Sequence, residues 1–119
     1  YKRWHLIGLE LPYSVASVGI RGEATGAATE FRADVVAVAK RDLSAGELLD
    51  GEGGYTVSGG LRPALLSVRN GYVPLGLAHQ VKLIRSVVKD QAVSWDDIEI
   101  DPTTSAYRLR KEVEAGVAQ

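Results

Sequence analysis

Two residues near the start of this sequence have the types and spacing that acid–base chemistry requires. His5 stands five residues before Glu10 and is flanked by Trp4. A carboxylate beside an imidazole can orient its proton for general acid–base catalysis. His5 and Glu10 are therefore the candidate catalytic residues. The alternative is that His5 is a surface histidine at a domain boundary.

Three cations form a second candidate group. Lys40 and Arg41 follow a short valine-rich run, and Arg85 follows a later apolar run. Guanidinium and ammonium groups bind carboxylates and phosphates, so Lys40, Arg41 and Arg85 are the candidate substrate-binding residues for a sugar-like anion. The alternative is that such cations only mark the points where strands reach water.

Other chemistries lack their motifs. Gly51, Gly53 and Gly54 lie in no Gly-x-Gly-x-x-Gly or Gly-Lys-Ser/Thr pattern, so the sequence predicts no cofactor-binding residues. His5 and His79 lie in no metal-binding spacing, cysteine is absent, and no metal site is predicted. The setting of His79, between Ala78 and Gln80, is typical of a solvated loop histidine.

Composition narrows the class of protein. The net charge of −1 gives no field that would attract nucleic acid or an anionic membrane surface, and no apolar run reaches the roughly 20 residues of a membrane span. The absence of thiols leaves a reducing cytoplasm as the predicted location. Because methionine is absent, we expect a fragment or a processed product.

The first third of the chain differs from the rest. Four aliphatic residues crowd the start, and a helix is predicted from Pro12 to Gly22, followed by a small polar linker over residues 23–29. The four aliphatic residues are Leu6, Ile7, Leu9 and Leu11. We expect them to lie against another chain or domain, and the isolated chain to form a homo-oligomer through them.

The remaining residues predict a mainly β fold with short helices. Residues 35–39 form a small apolar run that suits a strand buried on both faces, residues 63–68 suit a short helix, and residues 94–97 suit a capping box. Asp101 and Pro102 are expected to open a C-terminal helix that ends at Gly116. That helix should pack through a stripe of Ala106, Leu109 and Val113.

A weak internal repeat links two parts of this region. Apolar residues such as Val36, Val38 and Leu43 are matched in type 45 positions later. A constant offset predicts two hook-shaped units, over residues 35–50 and 80–95, around an approximate two-fold axis; the alternative is chance agreement. At this offset, Gln91 would occupy the place of the turn glycine Gly46.

The runs 35–47, 74–77 and 81–100 resemble the SAF domain family, whose members look like type III antifreeze proteins. The resemblance covers roughly residues 34–101 and implies a SAF-type β-clip with pseudo-two-fold hooks, which is a fold and not one activity. Residues 34–119 would then form a SAF-like domain with its C-terminal helix. Residues 1–33 would be the end of a preceding catalytic domain with a linker.

Two further segments, residues 5–15 and 49–57, resemble the C-terminal part of homoserine-dehydrogenase-like proteins, including deoxyxylulose-phosphate-reductoisomerase-like enzymes. This resemblance implies a parent oxidoreductase that uses NAD or NADP, with upstream Rossmann and catalytic domains as partners and a small hydroxylated or phosphorylated substrate. The chain itself would not be catalytic alone. The alternative is a stand-alone SAF module that binds a carbohydrate or acidic ligand for a dehydratase or synthase partner.

Overall fold

The computed structural model describes residues 3–117. The backbone divides after Glu30 into two compact units. The first unit contains one helix, α1 (Ile7–Ala16), which continues as a π-helical turn (Ser17–Arg21) and ends at Gly22 in the left-handed conformation.

The predicted start of this helix at Pro12 is wrong. Pro12 lies inside α1, which begins five residues earlier at Ile7. One contact that favours the earlier start is the hydrogen bond that the Glu10 carboxylate accepts from the N–H of Leu6, at 3.1 Å, which satisfies a donor that the first turn leaves free.

The second unit is mainly β, as the sequence predicted, with short helices and a C-terminal helix. Its antiparallel strands form two sheets, β1–β3 and β2–β4–β5. The strands are β1 (Ala33–Ala39), β2 (Leu48–Asp50), β3 (Val57–Pro63), β4 (His79–Leu83) and β5 (Ile98–Glu99). The helices are α2 (Ala64–Arg69) and α3 (Ser105–Val117), with 3-10 turns at Leu75–Leu77 and Trp95–Asp97.

Both sheets contribute to one apolar core. Ala37 and Val57 enter it from the first sheet, and Leu49, Leu83 and Ile98 enter it from the second. All five side chains are buried. The prediction that residues 35–39 are buried on both faces holds for most of β1, but Val35 at its outer end is about half exposed.

Two hooks, residues 37–46 and 81–90, interlock across this core. Each hook runs through a strand, a bend, an isolated bridge and a turn in the same order. The bridging residues, Leu43 and Val87, each donate their N–H to the other's carbonyl, at 2.8 and 3.0 Å. The other backbone bonds between the hooks come in matched pairs. Gly46 donates its N–H to the carbonyl of Leu83, as Asp90 does to that of Ala39. Leu83 donates to the carbonyl of Glu47, as Ala39 does to that of Gln91.

This reciprocity fixes the offset between the hooks at 44 residues, so the predicted offset of 45 is wrong by one. The left-handed turn residue that corresponds to Gly46 is Asp90, with φ of 67°, and not Gln91. Residue types alone paired Leu43 with Val88, because Val87 and Val88 are both valines. Of the two, only Val87 is buried. A short polar side chain lets Asp90 adopt the conformation that glycine adopts in the other hook.

Replacing Asp90 with glycine tests this offset. Asp90→Gly relieves left-handed strain, which outweighs the extra freedom glycine gives the unfolded chain, so we expect stabilisation by about 0.5 kcal/mol. The matched variant Gln91→Gly should instead lose about 0.5–1 kcal/mol. Urea unfolding followed by circular dichroism measures the free energy of unfolding of both variants. If Gln91→Gly were stabilised and Asp90→Gly destabilised, the offset would be 45.

Helix α3 packs by the opposite face from the one predicted. Leu109 and Val113, two members of the predicted apolar stripe, are exposed, as is Ala106. The less exposed positions are Tyr107, Arg110, Lys111 and Glu114. The helix also begins at Ser105 and not at Pro102, and Gly116 lies within it and does not end it. A stripe pattern predicts amphipathicity, but it cannot say which face finds a partner.

A buried ion pair explains this choice of face. The carboxylate of Asp34 on β1 accepts two hydrogen bonds from the Arg110 guanidinium, at 2.6 and 3.2 Å, and a third from the Ser67 hydroxyl of α2, at 2.5 Å. The side chains of Asp34 and Arg110 are 6% and 10% exposed. The guanidinium also lies 5.1 Å from the ring centre of Phe31.

Arg110 also binds Glu114 through its Nε, at 2.7 Å. Burial alone would lower the pKa of Arg110, but its bonds to Asp34 and Glu114 outweigh burial and hold the pKa above its usual value. Burial likewise opposes ionisation of Glu114, yet Lys111 and Arg110 hold its pKa below the usual value. Both groups therefore stay charged.

Removing one partner of this pair should be costly. Asp34→Ala leaves the Arg110 charge buried without its main acceptor, so we expect a loss of about 3–5 kcal/mol in the free energy of unfolding. The double variant Asp34→Ala/Arg110→Met should lose less than the sum of the two single variants. Chemical denaturation of all four proteins measures this coupling, and strictly additive losses would contradict it.

Candidate functional site

A glycine-rich loop at residues 50–56, the Asp50 loop, is held together by hydrogen bonds to one carboxylate. The Asp50 carboxylate accepts hydrogen bonds from the N–H of Tyr55 at 2.5 Å, from the N–H of Thr56 at 3.0 Å, and from the Thr56 hydroxyl. At Gly54 a Cβ would lie 2.1 Å from the Asp50 carboxyl carbon, so only glycine fits. The loop presents Tyr55, which is 86% exposed.

The same contacts occupy two of the backbone donors that a phosphate would need. Consecutive backbone N–H groups can cradle an anion, but here those of Tyr55 and Thr56 already bind the Asp50 carboxylate. The hydrogen bond from the Thr56 hydroxyl, with those from the two N–H groups, lowers the pKa of Asp50 to about 2 although burial opposes ionisation. The loop thus carries its own anion.

The predicted substrate-binding cations lie on the two hooks and differ in whether their side chains already have partners. Lys40 donates its ammonium to the carbonyl of Gly54 and its N–H to that of Thr56, so it holds the Asp50 loop. Arg41 forms an ion pair with Glu47, at 3.1 Å. Within residues 3–117, Arg85 makes no hydrogen bond or ion pair. At the offset of 44, Arg85 corresponds to Arg41 and not to Lys40.

The predicted catalytic pair does come together. Nδ1 of His5 lies 3.2 Å from Oε2 of Glu10, and the His5 side chain is 76% exposed. The other carboxylate oxygen of Glu10 accepts from the N–H of Leu6. This hydrogen bond orients the imidazole just ahead of α1, with Nε2 turned away from the bond, where it could accept or deliver a proton.

A groove that the sequence analysis missed lies between the 3-10 turn at Leu75–Leu77, β4, the end of β5 and the start of α3. Its volume is about 330 Å³. Apolar side chains such as Leu77 and Ile100 line it together with Glu99, Asp101 and Thr104. In the sequence, the two acids on either side of Ile100 were the one sign of a polar site here. The groove itself depends on the fold, which brings residues 76–81 next to them.

The groove contains a residue with strained backbone geometry and an acidic rim. Gln80 is in the left-handed conformation, with φ of 56°, at the irregularity where β2 and β4 lose register, and His79 beside it bonds the carbonyl of Asp50 at 3.1 Å. His79 is exposed, as predicted, but begins β4 and is not a loop residue. Hydrogen bonds from the side chain and the backbone N–H of Thr103 lower the pKa of Asp101. An acidic rim over apolar walls can accept hydrogen bonds from hydroxyl groups, whereas it repels anions.

Comparison with known proteins gives no matching family model and no match among curated proteins. Among residues 3–117, no group of three or more histidine, aspartate and glutamate side chains is placed to hold a metal ion. The described helices include none with the length and apolar character needed to cross a membrane.

The low pKa of Asp50 predicts acid sensitivity. A carboxylate whose pKa is lower in the folded than in the unfolded state stabilises the fold above pH 3.8, and this contribution is lost as the pH falls towards 2. The free energy of unfolding should therefore fall between pH 4 and pH 2, and fall less in Asp50→Asn. Urea titrations at each pH measure this, and identical pH profiles for both proteins would contradict it.

Proposed function

We propose that this chain is the C-terminal, SAF-type β-clip part of a homoserine-dehydrogenase-like oxidoreductase of the cytoplasm, which uses NAD or NADP. Its role is accessory: it supports substrate binding or subunit assembly and is not catalytic alone. The observation that carries the proposal is the uncovered apolar surface of α1, because a helix of that kind belongs inside a larger protein.

Helix α1 is apolar on more than one side. Ile7, Leu11 and Val15 follow each other at intervals of four residues, while Leu9 and Tyr13 form a second row on another face. All five are more than 60% exposed, and no residue of α1 is buried. A helix that is apolar around most of its circumference is normally enclosed by other elements. This supports assigning residues 1–33 to the end of an adjoining catalytic domain.

The interlocking hooks support the β-clip assignment. A clip of two related hooks implies reciprocal bonds about an approximate two-fold axis, and the bonds of Leu43 with Val87 are of this kind. Even side-chain bonds follow the offset: the Asp42 carboxylate accepts from the N–H of Lys89 at 2.8 Å, and the Ser86 hydroxyl accepts from that of Ala45 at 3.3 Å.

In the parent enzyme, hydride transfer belongs to the upstream Rossmann and catalytic domains, since the chain has no dinucleotide fingerprint. The contribution proposed for this chain is the His5–Glu10 pair as a proton-transfer or substrate-contacting group, because it lies at the first turn of the uncovered helix. Of the three hook cations, Arg85 is the one whose charge has no partner among the described residues, so it is the one proposed to bind a substrate phosphate or carboxylate.

One observation favours the second candidate, a stand-alone SAF module. The groove beside Glu99 and Asp101 lies wholly within the second unit, so ligand binding there would need no other domain. Its acidic rim favours a carbohydrate over an acidic ligand, since carboxylates accept from sugar hydroxyls. A protein that served a dehydratase or synthase partner in this way would bind a neutral sugar without any nicotinamide cofactor.

Cofactor titration and protease protection separate the two candidates. We expect this chain to show no saturable fluorescence change with NADH or NADPH at micromolar concentrations. A longer polypeptide, extended by the coding sequence ahead of Tyr1, should bind one of them and should protect α1 from chymotrypsin at Tyr13. Micromolar binding by the chain alone, or an upstream sequence without a Gly-x-Gly-x-x-Gly after a strand, would refute the proposal.

A further inference from the structure

The outward face of α3 has no cover although its sequence suits helix packing. Ala106, Leu109 and Val113 recur at intervals of three and four residues, which places them on one stripe. Leu109 is 61% and Val113 45% exposed. The stripe faces outward because the Asp34–Arg110 pair holds the opposite face of the helix towards β1.

Two opposite charges flank this stripe on one side. Arg108 and Glu112 lie four residues apart, yet within residues 3–117 neither has an ion-pair partner, and they do not pair with each other. Such a spacing usually allows an ion pair along the helix. Together with Ser105 and Leu109, both line a shallow depression on the outer surface. The two charges are thus free to pair with groups on another molecule.

We propose that this stripe docks onto the same stripe of a second copy of the chain, with the two α3 helices antiparallel. If Leu109 lies level with Val113 of the partner copy, the 1.5 Å rise per residue leaves Arg108 only about 3 Å along the axis from the partner's Glu112. Two-fold symmetry then forms the ion pair twice. A parallel pair, with its two-fold axis along the helices, would instead place these charged residues of the two copies at opposite edges of the interface, where they could not pair.

The dimer is weak, because one apolar stripe and two exposed ion pairs cover far less than the roughly 1,200 Å² of a standard stable interface. Its evidence does not rest on the proposed function, since α1 takes no part in it. Sedimentation equilibrium should show the mass of the chain rising from 12.8 kDa towards twice that value over a roughly micromolar to millimolar range of concentration.

Substitutions of exposed residues test the interface without entering the core. Leu109→Gln/Val113→Gln should abolish the rise in mass. Leu61→Ser, which removes a leucine that is 70% exposed on β3, is the matched control and should leave it unchanged. Circular dichroism and thermal unfolding check that each variant folds. If the double variant associates as the native chain does, the proposal is wrong.

A charge exchange tests the antiparallel register. Arg108→Glu and Glu112→Arg should each weaken the dimer at least several-fold at low salt, and the double exchange should restore it. A double exchange that stays monomeric overturns the register. Leu6→Ser/Leu9→Ser serves as the second control. If this variant stops associating while Leu109→Gln/Val113→Gln still associates, the contact lies on α1 and the α3 dimer is refuted. If Leu109→Gln/Val113→Gln stops associating and the α1 variant does not, the α3 dimer is supported.

Discussion

One buried carboxylate, that of Asp34, determines how the outer helices attach to the sheets. A buried charge needs a partner of opposite sign, and Asp34 has one in Arg110 and a further donor in Ser67. Arg110 then binds Glu114, which accepts from the indole N–H of Trp95 at 3.3 Å. β1, α2, α3 and the 3-10 turn at Trp95–Asp97 are thus joined by polar contacts. The outward apolar face of α3 is a consequence of this network.

Predictions that depended on neighbouring residues were close to the structure, and those that depended on distant partners were not. The short helix predicted over 63–68 is α2. The capping box at Ser94 and Asp97 forms, with the N–H of Ser94 donating to the Asp97 carboxylate at 2.9 Å. The inward face of α3 could not be predicted, because the attraction of Arg110 to Asp34 acts across 76 residues of sequence. The hook offset failed similarly, since only hydrogen bonds between the hooks distinguish Val87 from Val88.

In the candidate site too, local contacts could be predicted from the sequence and contacts between distant residues could not. Contact between His5 and Glu10 is local, since only five positions separate them at the start of α1, and the structure shows it. The bond from Lys40 to Gly54 depends on how Asp50 folds its loop, which no local pattern of glycines reveals. Sequence can therefore nominate the cations on the hooks, but only the folded chain shows that two of the three are already engaged.

The interlocking of the hooks also constrains the order of folding. Leu43 and Val87 are 44 positions apart, and each supplies bonds that the other hook needs, so neither hook completes the core by itself. Contacts this distant in sequence slow the search for the native state, because a long loop must close before any of them forms. During synthesis the first hook must wait for the second to leave the ribosome, and until then the strand edges of β1 and β2 stay open to mispairing.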